Sequence, residues 1–259
     1  MINNIKSALP KTKKRIASHG TIAVIASAIT LLAGVGATTN RTSVVQVIYV
    51  QDKSSFVSVA ELKNALPAFQ AATSKDFAPL WHIDAKLVYL PRLTPVPAGA
   101  ESITLVDSGP VAGALAYHEL VNGVADSIIY VGTAKFYHYS WTVGFTHELW
   151  EMLADPGLVE TAQSVDGRIW AEENADPVEA DKYGFDVPGA DGSPILISDF
   201  VTEKWFGAAT QGPFDFTNAV QTPLLVLPGG YAQWWDGTTW TVIQNFRKGG
   251  LGRNGAHYD

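Results

Sequence analysis

Regular patterning begins at residues 43–52, SVVQVIYVQD, where β-branched and apolar residues run almost unbroken. That is the signature of a strand buried on both faces. Residues 58–81, SVAELKNALPAFQAATSKDFAPLW, switch to helical spacing, with Leu62, Leu66, Phe69 and Phe77 on one side. Pro67 falls inside that pattern and is expected to bend or divide the helix. DAKLVYLP (84–91) and ESITLVDSG (101–109) read as two further strands around a proline-rich loop. GALAYHEL (113–120) and DSIIYVGT (126–133) read as a strand pair joined at Asn122-Gly123, a strong hairpin-turn signal.

A second helix is predicted over 142–154, ending at Asp155-Pro156 because a residue before proline resists the α conformation. Beyond it the chain alternates irregular Gly-, Pro- and Asp-rich stretches with short apolar runs, SPILISDFV (193–201) and TPLLVLPGG (222–230). QWWDGTTWTVI (233–243) is a β-hairpin candidate with Asp236-Gly237 in its turn. No internal repeat of solenoid or propeller period is present. The order of elements predicts an α+β domain, α/β-like in its opening, with a mixed sheet packed on the 142–154 helix. One domain spans 41–246: 41–156 carries the sheet and the helix, and 157–246 is irregular apart from its hairpin. Residues 247–259 have little to pack and are expected to form a flexible tail.

Charge changes the picture at the N-terminus. Residues 1–37 carry Lys6, Lys11, Lys13, Lys14 and Arg15 and no acid, so the formal charge of −7 divides into +5 there and −12 over the rest. The basic cluster precedes an apolar run over 21–37 ending in Val35-Gly36-Ala37, so residues 1–40 read as a signal peptide or an uncleaved signal-anchor. A secreted or membrane-anchored, extracytoplasmic protein follows, touching membrane only through that segment. The acidic body argues against nucleic-acid binding, which needs a basic footprint. There is no cysteine, so disulfides and thiolate metal sites are excluded, and a metal must be held by His, Asp, Glu or backbone oxygen. Nucleotide-binding glycine loops and the G-x-S-x-G elbow are also missing from the sequence.

The candidate chemistry lies on the predicted helix. His147, Glu148 and Glu151 form H-E-x-x-E, and Val143, His147, Glu151 and Asp155 share one i, i+4 row. Phe145, Leu149, Met152 and Leu153 occupy a different sector, suited to the core. Two ligands one turn apart can reach a single ion, and a carboxylate beside the first can accept a proton from water. His147 and Glu151 are therefore candidate ligands and Glu148 a candidate general base. Without a third ligand, the same residues describe a solvated helix face with an i, i+4 ion pair.

Downstream, WAEENADPVEAD (170–181) supplies Glu172, Glu173, Asp176, Glu179 and Asp181. HELWEMLADP, EENADPVE and ILISDFVTEKWF, in that order, resemble a group of uncharacterised bacterial and phage zincin-like proteins, and more distantly the plant phosphate-induced proteins. The resemblance spans most of 44–245. Ala175 and Val178 stand where related sequences often carry cysteines, and Thr202-Glu203 replaces their Thr-Pro. It implies a zincin-like metallopeptidase fold in which the C-terminal part folds back to give a third ligand, Asp176 first, Glu173 second, with Glu179 also matching the motif. One histidine with two carboxylates would neutralise zinc or another divalent cation, leaving its water less acidic than in a three-histidine site.

The expected function is a metal-dependent hydrolase, a zinc peptidase acting on a peptide or protein substrate. The alternative is a non-catalytic cell-envelope or virion protein with a structural metal. His118 and His138 read as packed or surface histidines rather than ligands. Tyr231, Trp234, Trp235 and Trp240 read as cross-strand packing, with a sugar-stacking platform as the alternative.

Overall fold

Strand β1 (Val45–Asp52) leads into helix α1 (Val59–Ala72), a π-helical turn (Thr73–Phe77) and helix α2 (Ala78–Trp81) in this computed structural model, which describes residues 45–110, 114–207 and 211–245. Strands β2 (Asp84–Leu90), β3 (Ser102–Val106), β4 (Ala116–Val121) and β5 (Val124–Tyr130) follow, then helices α3 (Val131–Phe136) and α4 (Trp141–Ala154). The remainder holds strands β6 (Thr161–Gln163), β7 (Ile169–Ala171), β8 (Phe185–Pro188) and β9 (Pro194–Ile197), helix α5 (Glu203–Phe206), and strands β10 (Tyr231–Trp235) and β11 (Trp240–Gln244). The signal expected over 1–40 and the tail expected over 247–259 lie outside the described residues. Among those described, no helix is long and apolar enough to cross a membrane.

The first sheet has the order β2-β1-β3-β5-β4. Its strands are parallel except β4, which pairs antiparallel with β5 and forms an edge. The reversal is local: Asn122 and Gly123 both take positive φ, 54° and 80°, as a two-residue hairpin turn requires. A four-stranded antiparallel sheet, β11-β10-β7-β6, and the β8-β9 hairpin complete an α+β architecture. The 233–243 hairpin turns at Asp236, whose carboxylate accepts the backbone N–H groups of Thr238 and Thr239, both at 2.8 Å. Its tryptophans pack across strands. Trp235 and Trp240 lie 5.8 Å apart, and the Arg168 guanidinium covers both Trp170 and Trp234.

Pro67 neither divides nor ends α1, which runs through it to Ala72. The ring lies on the exposed side, where water can serve the carbonyl that the missing N–H abandons. The irregularity comes later, at the π-helical turn, where Thr73 Oγ1 donates to the Phe69 carbonyl at 2.7 Å.

Helix α4 differs from an amphipathic surface helix: all fourteen of its residues are buried. It packs on β4 and β5 on one side and on β9 on another. Phe145 stacks on Phe69 with ring centroids 4.2 Å apart, and Trp150 stacks on Phe77 at 4.7 Å and meets Phe200 edge-on. The Trp150 indole N–H donates to the Ser198 carbonyl, and the Thr146 hydroxyl accepts from the Ser198 N–H at 2.8 Å. A helix covered on every side leaves His147, Glu148 and Glu151 without a solvent face, so the simple surface ion-pair reading does not hold.

The segment after β9 is fixed by a pair of buried acids. Asp199 accepts from the N–H groups of Phe200 and Thr217, and Asp215 from those of Ala219 and Val220. Burial first, then the neighbouring Asp215, pushes the Asp199 carboxyl up to about 8. Native Asp199 therefore keeps a proton that the unfolded chain releases above its ordinary value of 3.8. The folded state binds more protons across that interval, so this contribution to stability falls as pH rises from about 4 to about 8. Asp199→Asn, which imitates the protonated acid, is expected to flatten that fall. Thermal melts at pH 5 and pH 8 check it, and an unaltered gap between the two pH values would show that Asp199 is not the group responsible.

Candidate metal centre

Helix α4 ends where Asp155 leaves the helical region at φ −130°, ψ 65°, and its carboxylate turns to the outgoing chain. There Asp155 accepts from Val159 N–H at 2.8 Å and Glu160 N–H at 3.0 Å. Burial raises its pKa to about 6 despite those two donors, helped by the charges of Glu160 and Glu151. Asp155 is thus used as a turn-former, although it shares the row of His147 and Glu151.

The 172–178 segment returns over this helix. Ala175 N–H donates to Glu151 Oε1 at 3.3 Å, Asn174 Nδ2 reaches the Trp150 carbonyl, and Val201 N–H donates to the Asn174 carbonyl at 2.7 Å. A 3-10 turn over Asp176–Val178, with Pro177 just inside its start, then aims Asp176 at the helix. The result is a close set of donor atoms. His147 Nε2 lies 3.3 Å from Glu151 Oε1 and 3.3 Å from Asp176 Oδ1. Donors held about 2.1 Å from a tetrahedral ion are separated by about 3.4 Å, so the spacing fits an ion at their centre. All three residues are at most 1% exposed.

A second set shares Glu151. His118 Nδ1 lies 3.2 Å from Glu148 Oε2 and 3.8 Å from Glu151 Oε2, while its Nε2 faces Glu173 Oε2 at 4.0 Å. Both sets, His147–Glu151–Asp176 and His118–Glu148–Glu151, keep their donor atoms within 4.8 Å of one another. Buried His, Glu and Asp groups that could hold a metal ion are therefore present.

The electrostatics ask for positive charge. Burial works against a charged His147, yet the charge and hydrogen bond of Glu151 outweigh it and raise the imidazole. Burial likewise pushes Glu151 up, but His147 and His118 bring it below its ordinary range. Glu173 is raised well above that range by burial, then by the charges of Glu151, Asp155 and Asp176. His118 is lowered by burial and by His147, against the pull of Glu151. A proton on His147 answers the field only in part, and a cation that displaced it would answer it more fully.

Of the residues singled out in the sequence, His147, Glu148, Glu151 and Asp176 are brought together, with Asp176 rather than Glu173 beside His147. Glu173 instead stands against His118. Glu179 is buried and acts on His147 through its charge, but is in neither set. His138 is exposed, on a left-handed residue at φ 64°. His118, expected as a packed or surface histidine, is packed, and it lies within the cluster beside Glu148 and Glu151. The only sequence signal near it is the Asn122-Gly123 turn, which folds β4 back on β5; the burial of His118 shows only in the structure, where Ala116 and His118 alternate with less buried neighbours. No family model, curated protein sequence or solved structure matches the chain.

Gly230 tests how the Asp176 turn is held. A Cβ there would stand 2.6 Å from the carbonyl oxygens of Asp176 and Pro177, both rigid backbone atoms. Gly230→Ala should push the turn off the helix and weaken zinc binding by about 10- to 100-fold, the range for losing a support of a metal ligand. Titration of both proteins with zinc measures this, and equal affinities would mean that Gly230 does not set the position of Asp176.

Proposed function

We propose that the chain is a metal-dependent hydrolase of zincin type that cleaves peptide bonds. The observation that carries this reading is the convergence of His147 Nε2, Glu151 Oε1 and Asp176 Oδ1, with Glu148 on the same helix. A mixed sheet resting on the motif helix supports the fold half of the proposal, as does the antiparallel edge strand β4 lying against α4. An edge strand offers unpaired backbone groups to an extended peptide, which suits a peptide substrate.

His147, Glu151 and Asp176 would hold the ion, zinc or, given two carboxylates, a harder divalent cation. A cation held there supplies Lewis acidity toward a substrate carbonyl and toward water. Glu148 takes the proton from the attacking water and passes it to the departing amine nitrogen. His118, 3.2 Å from Glu148 Oε2, fixes the direction in which that carboxylate points. The basic and apolar N-terminus favours an exported or surface-tethered enzyme.

A second reading rests on burial. His147, Glu148, Glu151 and Asp176 are at most 1% exposed, and closed sites are the habit of structural metals. Under it the ion only pins the 172–178 segment to α4 in a non-catalytic envelope or virion protein. Glu148→Gln separates the two. The hydrolase reading expects cleavage of a mixed peptide library, followed by mass spectrometry, to fall at least about 100-fold while the zinc at His147 stays bound. Undiminished cleavage in Glu148→Gln would contradict the role of Glu148. No cleavage in the wild-type protein loaded with zinc would favour the structural reading.

A further inference from the structure

We propose that the cluster holds two divalent cations, with the Glu151 carboxylate bridging them. The first occupies the His147–Glu151–Asp176 position; the second lies between His118 Nδ1, Glu148 Oε2 and Glu151 Oε2. The two oxygens of Glu151 face different partners. Oε1 lies 3.3 Å from His147 Nε2, and Oε2 lies 3.8 Å from His118 Nδ1. The separations around the second position, 3.2 and 3.8 Å, bracket the roughly 3.4 Å expected between neighbouring donors on one tetrahedral ion.

A separate observation lies behind His118. Its Nε2 and Glu173 Oε2 are buried, have no hydrogen-bond partner, and face each other at 4.0 Å. An imidazole that ligates through one nitrogen is ordinarily steadied by a carboxylate at the other, and Glu173 stands where that carboxylate belongs. A small closure of that gap, as Nδ1 turns toward an ion, makes the contact.

Charge points the same way. Glu148, Glu151, Glu173 and Asp176 carry four negative charges between them when ionised, and one divalent cation neutralises half of that. The basic side chains nearest in sequence are committed elsewhere. Lys135 is paired with Glu61, Arg168 is held by Asp166, and Lys182 lies over the Tyr183 ring. A second divalent cation offsets the remainder in a buried setting where uncompensated ions are costly, and Glu179 and Asp155, buried nearby, add to the demand for positive charge.

The consequence is regulatory, and it rests on the hydrolase reading above. With its Oε2 on an ion, the Glu148 carboxylate gives up negative charge to that ion and becomes a much weaker base toward water. The first cation therefore supports cleavage and the second suppresses it, so activity rises and then falls as zinc is added.

The experiment is calorimetric titration of the metal-stripped full chain with zinc, for wild type, His118→Ala, His147→Ala and Glu173→Gln. Two equivalents are expected for wild type and one for His118→Ala. Glu173→Gln removes no donor atom to either ion and should weaken only the second step, by about tenfold or more, which keeps the test decisive if His118→Ala fails to fold. A single wild-type equivalent, lost in His147→Ala and kept in His118→Ala, would overturn the second site and leave the hydrolase reading standing. No binding to wild type would overturn both, and a Glu173→Gln profile identical to wild type would overturn the place given to Glu173.

Discussion

Three buried carboxylates, a fourth at their margin and two imidazoles, packed against one another, form the constraint around which the rest of this structure is organised. An ionised carboxylate moved into a protein interior costs several kcal/mol even after relaxation, unless opposite charge accompanies it. Burying one large apolar side chain returns only about 1.5–3 kcal/mol. The rings and branched side chains along α4, Phe145, Leu149, Trp150 and Leu153, supply a reserve of that kind. They cannot also carry four uncompensated ions. Burial and the neighbouring carboxylates raise Glu173 and His147 toward their protonated forms, which offsets part of the cost, and a bound cation would offset more of it.

The architecture serves this cluster from several directions. Helix α4 supplies three members at fixed spacing, the edge strand β4 supplies His118, and the 172–178 segment supplies Glu173 and Asp176. Apart from its short 3-10 turn, that segment is held by hydrogen bonds to neighbouring parts of the chain. Its ties run to Glu151, Trp150 and Val201, and Leu227 N–H donates to the Pro177 carbonyl at 2.9 Å. Behind it the β10 strand and the absence of a side chain at Gly230 set how close the Asp176 turn can come to the helix.

Local patterns in the chain were readable and long-range ones were not. The β-branched run of β1, the turns at Asn122-Gly123 and Asp236-Gly237, and the stop at Asp155-Pro156 each rest on a few neighbouring residues. The side-by-side placement of His147 and Glu151 follows from helical geometry alone. What covers α4 depends on Phe77 and Phe200, which lie more than forty residues away on either side, so its complete burial exceeded what its own periodicity conveyed. WTVGFTHELWEMLA is nonetheless apolar on nearly every side, the composition of a central helix. One histidine on a strand, such as His118, reads as packing until the register of β4 against β5, and the packing of α4 on both, is known. Pro67 stays within α1 because the rule against proline in helices loses force on an exposed face.

A folded state that relies on a cation to neutralise this cluster loses stability when the ion is removed, and the melting temperature of the purified protein before and after chelation at pH 7 measures that loss. A site occupied at about a thousand times its dissociation constant contributes about 4 kcal/mol, which for a chain of this size corresponds to a fall of about 10 °C. That fall, and its recovery when zinc is restored, are the expected result. A melting temperature that stays the same or rises after chelation would contradict it.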